Sequence, residues 1–179
     1  STHQPAPPES APADPPGSAC LSNYETILTE SQLNEWLMRC ERAELVSVDT
    51  ETTSLDQMQA QLVGLSFCVE SGHAAYLPLA HAYPDAPQQL DSKSVLTRLR
   101  PWLENPAKFK IGQNLKYDKH VLANHGITLN GIAHDTLLQS YVLESHLPHG
   151  LDSLAKRHLN YTTIPYEELT GKGAKQIGF

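Results

Sequence analysis

An α/β domain, a mixed sheet with flanking helices, is the fold class the sequence predicts, and three observations predict it. "ELVSVDTE" alternates with a period of two. "AQLVGLSFCVE" and "HAAYLPLAH" follow as apolar runs joined through "ESG", so three strands come in meander order. Beyond residue 90 the pattern changes to helix, strand, helix, strand, helix. Strands separated by helices favour parallel pairing, which adds to the antiparallel meander.

Taken in order, residues 1–21 hold six of the thirteen prolines and almost no large apolar side chain. Such a segment cannot offset its ordering entropy by burial and predicts a disordered or polyproline-like linker, leaving 22–179 as the folded domain. "NYETIL" (23–28) is a short strand, and Thr29 caps a helix that puts Leu33, Trp36 and Leu37 on one face. In "ELVSVDTE", Val46 and Val48 face one way while Ser47, Asp49 and Glu51 face the other. "AQLVGLSFCVE" reads as a buried strand with Cys68 as a small core residue. Residues 81–87 are a turn-rich connection. Asp91 caps "SKSVLTRLRPWLEN", with Val95, Leu96, Leu99 and Leu103 inward and Pro101 as the place for a kink. "AKFKIG" is a strand, and "NLKYDKHVLANHG" is a helix opened by Asn114 and closed by Gly126. "LNGIAHD" is the last strand, Asp135 caps the next helix, with an approach to the acids Asp49, Glu51 and Asp118 as its alternative reading, and Asp152 caps "DSLAKRHLN". There is no internal repeat.

The formal charge of −7 argues against a general basic surface for gripping nucleic acid, so any such contact needs a local site or a more basic neighbour. Cys20, Cys40 and Cys68 form no CxxC pair and read as reduced thiols of a cytosolic protein. No signal peptide is recognisable, and no apolar run approaches the roughly 20 residues of a membrane span. The leading linker and the absence of an initial Met predict a piece of a longer protein.

The chemistry concentrates in two places. Asp49 and Glu51 are two apart on a strand, so their Cα atoms lie about 6.5–7 Å apart on one face. Like charges placed there repel, and a hard divalent cation is the usual reason to tolerate them. The structural alternative is the start of a solvated loop. The second place is "IGQNLKYDKH", where a strand ends at Gly112 and Asn114, Tyr117 and Asp118 share a helical face. By itself Asp118 is also readable as a surface acid near a helix N-terminus. His146 and His149 lack further ligands at zinc spacing and read as a solvated loop. "GKGAK" lacks the ending of a phosphate-binding P-loop and reads as a flexible basic loop.

Together, the strand-borne D-x-E and the strand–"GQNLKYD"–helix resemble the first two motifs of the DEDD 3′–5′ exonuclease superfamily. The match is nearest to the proofreading domain of bacterial DNA polymerase I, and "LVGLSF", "AAYLPLAH", "GIAHDTLLQSYVL", "LDSLAKRHL" and "GKGAKQ" extend it over residues 22–179. The resemblance implies a ribonuclease H-like fold. It implies two metal ions (Mg²⁺, or Mn²⁺ or Zn²⁺) held by four acids, of which Asp49, Glu51 and Asp118 match three, with Asp49 as the bridging carboxylate. It implies that Leu55, Gln113, Asn114 and Tyr117 hold the terminal nucleotides, Leu55 as a wedge against a base and Asn114 on the sugar–phosphate. For Leu55 a core or turn leucine is the alternative. In the family mechanism one ion activates water and the other stabilises the leaving 3′ oxygen.

The third motif of that family, a Tyr and an Asp beyond "GKGAKQ", has no counterpart before Phe179. The sequence therefore predicts three acids of four and weak or absent activity for this chain alone. The stretch "HLPHGLDSL" also lacks the arginine that relatives often carry before "DSL". The expected partners are a DNA 3′ end and a polymerase domain in the same parent chain, with no membrane, in the bacterial cytoplasm near the nucleoid. Two other functions remain open: an RNA-trimming exonuclease of the ribonuclease D type, and a non-catalytic domain that supports a polymerase.

Overall fold

The computed structural model describes residues 23–164, so the expected linker and "GKGAK" lie outside the described residues. Along the chain come β1 (Asn23–Thr26), α1 (Glu30–Arg42), β2 (Leu45–Thr52), β3 (Leu62–Glu70), β4 (His73–Pro78), α2 (Ser92–Leu103), β5 (Phe109–Gly112), α3 (Leu115–Asn124), β6 (Ile132–Asp135), α4 (Thr136–Leu143) and α5 (Leu151–Leu159). The six strands form one sheet in the order β1-β4-β3-β2-β5-β6. β2, β3 and β4 are the antiparallel meander, and β5 and β6 add to β2 in parallel. This is the mixed sheet that the sequence predicts. The position of β1 is not so readable: it crosses to the far edge and pairs in parallel with β4, Asn23 opposite His73.

Pattern and burial agree along β2. Val46, Val48 and Thr50 are buried while Ser47 and Asp49 are exposed, as an alternating half-buried strand requires. Trp36 of α1, Leu99 and Trp102 of α2, and Leu115 and Leu122 of α3 share one core with Val46, Val48, Leu65 and Phe67. Phe67 and Trp102 meet edge to face at 6.0 Å, a favoured aromatic geometry. Thr29 forms a full capping box with Gln32 at the start of α1. α2 continues through Pro101, which falls in its last turn.

Several expectations need correction. Cys68 is only half-buried, its thiol donating to the Glu70 carbonyl at 3.1 Å; the core cysteine is Cys40, whose thiol burial pushes up to about 12. Asp152 lies inside the first turn of α5, where Gly150 takes the cap position, and its carboxylate accepts from the Thr163 hydroxyl. His149 is buried rather than solvated, 2.8 Å from the Ser140 hydroxyl and against the Tyr141 ring.

Candidate active site

β2 runs past the end of its parallel neighbour. β5 pairs only with Leu45–Ser47, so Asp49, Thr50 and Glu51 project beyond it, where α3 begins. Gly112 allows that close approach: a Cβ there would lie 2.7 Å from the Val48 carbonyl and 2.5 Å from the Leu115 side chain. On the other side of β2, Asp49 pairs with Ser66 and Glu51 with Gly64 of β3.

Asp118, one turn into α3, is buried. Its Oδ1 accepts from both the backbone N–H (2.9 Å) and the hydroxyl (2.7 Å) of Thr50. The middle residue of D-T-E therefore ties the two motifs together, a role that alternation hides because Thr50 lies on the core face. Burial raises the Asp118 pKa, the two Thr50 bonds oppose that rise, and nearby Asp135 adds to it. Burial and the charge of Asp118 raise Glu51 as well. Asp49 is lifted furthest, to about 7, by burial first, then by Asp118 and Glu51. Among the described residues none of the three acids forms an ion pair.

The donor set fits a hard divalent cation: three carboxylates, no soft ligand, and mutual repulsion that a cation relieves. It is not a closed cage. Among the described residues no three carboxylate, imidazole or thiol groups are drawn up round one metal-sized point.

The remaining expected residues divide. Leu55 sits in the loop after β2 and is 98% exposed, which removes the core alternative. The Tyr117 hydroxyl meets the Thr52 hydroxyl and donates to the Ser54 carbonyl, so Tyr117 anchors that loop. Gln113 turns inward: its amide nitrogen donates to the His149 carbonyl at 2.9 Å and its oxygen accepts from Thr136. Through these two bonds the side chain ties the end of β5 to the start of α4 and to His149. Asn114 is exposed and holds a left-handed backbone, φ 61°, with no side-chain capping bond, contrary to the expected cap. The carboxylate of Asp135 caps α3 in its place.

Tyr76 of β4 is a neighbour that pattern reading missed. Its ring lies over Gly64, where a Cβ would collide with the phenol, and its hydroxyl is 2.6 Å from His81 Nε2. Burial, then the charge of Glu51, raise the phenol pKa. Gln89 holds the His81 backbone at both N–H and carbonyl, so the connection at 81–87 has a fixed anchor beside the acids.

Comparison with known proteins agrees with this arrangement. The 3′–5′ exonuclease family matches residues 24–179. DNA polymerase I of Pseudomonas aeruginosa is 51% identical over 160 residues, covering 88% of this chain and 18% of that protein. The chain thus spans about a fifth of the length of that relative. Among solved structures, the POL domain of Pol1 from M. smegmatis in complex with DNA primer-template and dNTP has a TM-score of 0.61 at 23% identity, over 77% of this chain and 23% of that one. Brucella melitensis NrnC with bound Mg²⁺ has a TM-score of 0.56 at 18% identity, over 84% and 68% of the two chains. These two likenesses show the fold, which is ribonuclease H-like. With the family match, the sequence identity and the fold all in agreement, the chain belongs to the 3′–5′ exonuclease domain family of DNA polymerase I.

Proposed function

We propose that this domain removes nucleotides from DNA 3′ ends within a longer polymerase I, using Asp49, Glu51 and Asp118 as carboxylate ligands for divalent metal. The observation that carries the reading is the gathering of Asp49, Glu51 and Asp118 at the end of β2, where burial first, then the charges of Asp118 and Glu51, raise Asp49 to about 7. Structural carboxylates normally find a cation, whereas among the described residues no cation pairs with any of these three. Bound Mg²⁺ or Mn²⁺, two ions in the complete domain, would supply charge neutralisation at the phosphate and an activated water. The chain's own residues do the rest. Thr50 holds Asp118 in place, Tyr117 fixes the loop that offers Leu55 as an apolar wedge to an end base, and Asn114, exposed at the start of α3, meets the sugar–phosphate.

The 51% identity to a DNA polymerase supports DNA over RNA as substrate. As part of a bacterial polymerase I like its relatives, the domain works in the cytoplasm. Among the described residues no helix is long and apolar enough to cross a membrane.

The test is Mn²⁺ titration by calorimetry together with degradation of 3′-labelled single-stranded DNA and RNA, on the complete parent chain and its Asp49→Ala variant. We expect metal binding and DNA trimming that Asp49→Ala loses, a drop of at least about 100-fold. Equal activity in the two proteins would leave the acids without a catalytic role, and preferential RNA trimming would transfer the domain to the ribonuclease D reading.

A further inference from the structure

We propose that Asp135 is a positioning residue of this exonuclease site, a single carboxylate that fixes the starts of two helices and so sets where Asp118 stands. Asp135 ends β6 opposite Gly112, the residue that ends β5. Its Oδ1 accepts from the backbone N–H of Leu137 (3.0 Å) and Leu138 (3.3 Å), the ordinary cap of its own helix α4. The same carboxylate also reaches across to α3. Oδ1 accepts from Asn114 N–H at 3.1 Å and Oδ2 from Leu115 N–H at 2.8 Å.

Four N–H groups that helix geometry leaves without partners thus share one side chain. The bonds to Asn114 and Leu115 also explain a strained backbone. A non-glycine residue in the left-handed region is uncommon and persists where its surroundings over-determine it. Asn114 has no capping bond of its own, and the Asp135 carboxylate is what receives its N–H. Thr136, next to Asp135, reinforces the junction by donating to the Gly112 carbonyl at 3.2 Å and to Gln113. One turn beyond this clamp is Asp118, held from the other side by Thr50. Asp135 does not touch substrate; it acts through α3, as outer residues orient inner ligands at metal sites.

The inference rests on Asp118 being a ligand, and the experiment separates the two ideas. Asp135→Ser and Asp135→Asn are made in the complete parent chain, with Asp49→Ala alongside. Serine caps its own helix about as well as aspartate but is too short to span to α3. Asparagine keeps one acceptor oxygen and places an NH₂ group where Oδ2 stood. Both variants are expected to lose about 10- to 100-fold in kcat on 3′-labelled DNA. KM is expected to change less than about twofold, the signature of misplaced chemistry rather than lost binding. In metal-free protein the Leu115 amide should exchange faster with solvent while Leu137 and Leu138 stay protected. Wild-type kcat in a folded variant overturns the proposal. So does loss of kcat accompanied by equal exposure of the α4 amides, which would make Asp135 a general structural cap. If Asp49→Ala degrades DNA like wild type, the reading of the acids fails whatever Asp135 does. If only Asp49→Ala is inactive, the acids stand and Asp135 drops out.

Discussion

Burial, Asp118 and Glu51 together lift the Asp49 carboxyl from its ordinary 3.8 to about 7. A raised carboxyl pKa means that the folded chain binds a proton which the unfolded chain has released across that interval. Its contribution to stability is therefore complete below about pH 4 and disappears as pH rises through about 7. Metal-free protein should lose stability across that window, and Asp49→Asn should flatten the loss; urea unfolding at intervals of one pH unit, in the presence of chelator, measures it. Divalent metal should reverse the trend, since a cation favours the charged form. Asp49, Glu51 and Asp118 were legible as candidates because acids two apart on a strand and one turn into a helix stand out against apolar neighbours. Thr50 was not, because threonine on a core face has an ordinary local explanation, and for Asp135 the cap of its own helix was the simpler of two readings. Their bonds cross from one element to another and leave no local trace.

Among the elements, β5 is the least self-explanatory, a central strand that buries a lysine. Lys110 is fully buried, 0% exposed, and its Nζ donates to the carbonyls of Trp102 (2.7 Å), Leu103 (3.3 Å) and Asn105 (3.1 Å) while lying over the Trp102 ring. These carbonyls end α2, where helix geometry leaves acceptors without partners, so the strand closes the helix. Lys110→Met keeps the apolar stem but strips the donor, and should cost about 2–4 kcal/mol in denaturant unfolding at pH 7. Burial pushes the Lys110 ammonium down to about 8. The folded chain thus sheds this proton before the unfolded chain does, and its stability should rise from about pH 8 toward 10, a gain absent from Lys110→Met. The sequence marked β5 correctly as a strand but offered no sign of this cap, since "AKFKIG" shows two lysines with nothing to distinguish them. Apolar period and turn residues placed the meander and the helices well. They said nothing of which edge β1 would take.

Across the whole molecule the two ends of the sheet differ in finish. The helices α1, α2 and α3 enclose a core, whereas α4 and α5 carry Leu138, Val142 (86% exposed), Leu143 (77%), Leu151 and Leu159 at the surface. An open cleft between these two helices is lined by Leu143, Leu151, Leu154 and Leu159. Contiguous apolar surface of this kind promotes association. The 179-residue chain on its own should show concentration-dependent self-association by sedimentation equilibrium, and Val142→Glu with Leu143→Glu should suppress it; a chain that stays monomeric at every concentration would contradict the expectation. The far edge of the sheet raises a matter of timing. Asn23 and His73 are separated by 50 residues. A ribosome adding about 5–20 residues per second therefore exposes β1 for roughly 3–10 s before β4 arrives to receive it. The strand suits that wait: it is four residues long, "NYET", carries a charge, and presents mostly polar side chains. The first strand to be synthesised thus waits for the fourth before it can pair, and its polarity protects the nascent chain during the interval.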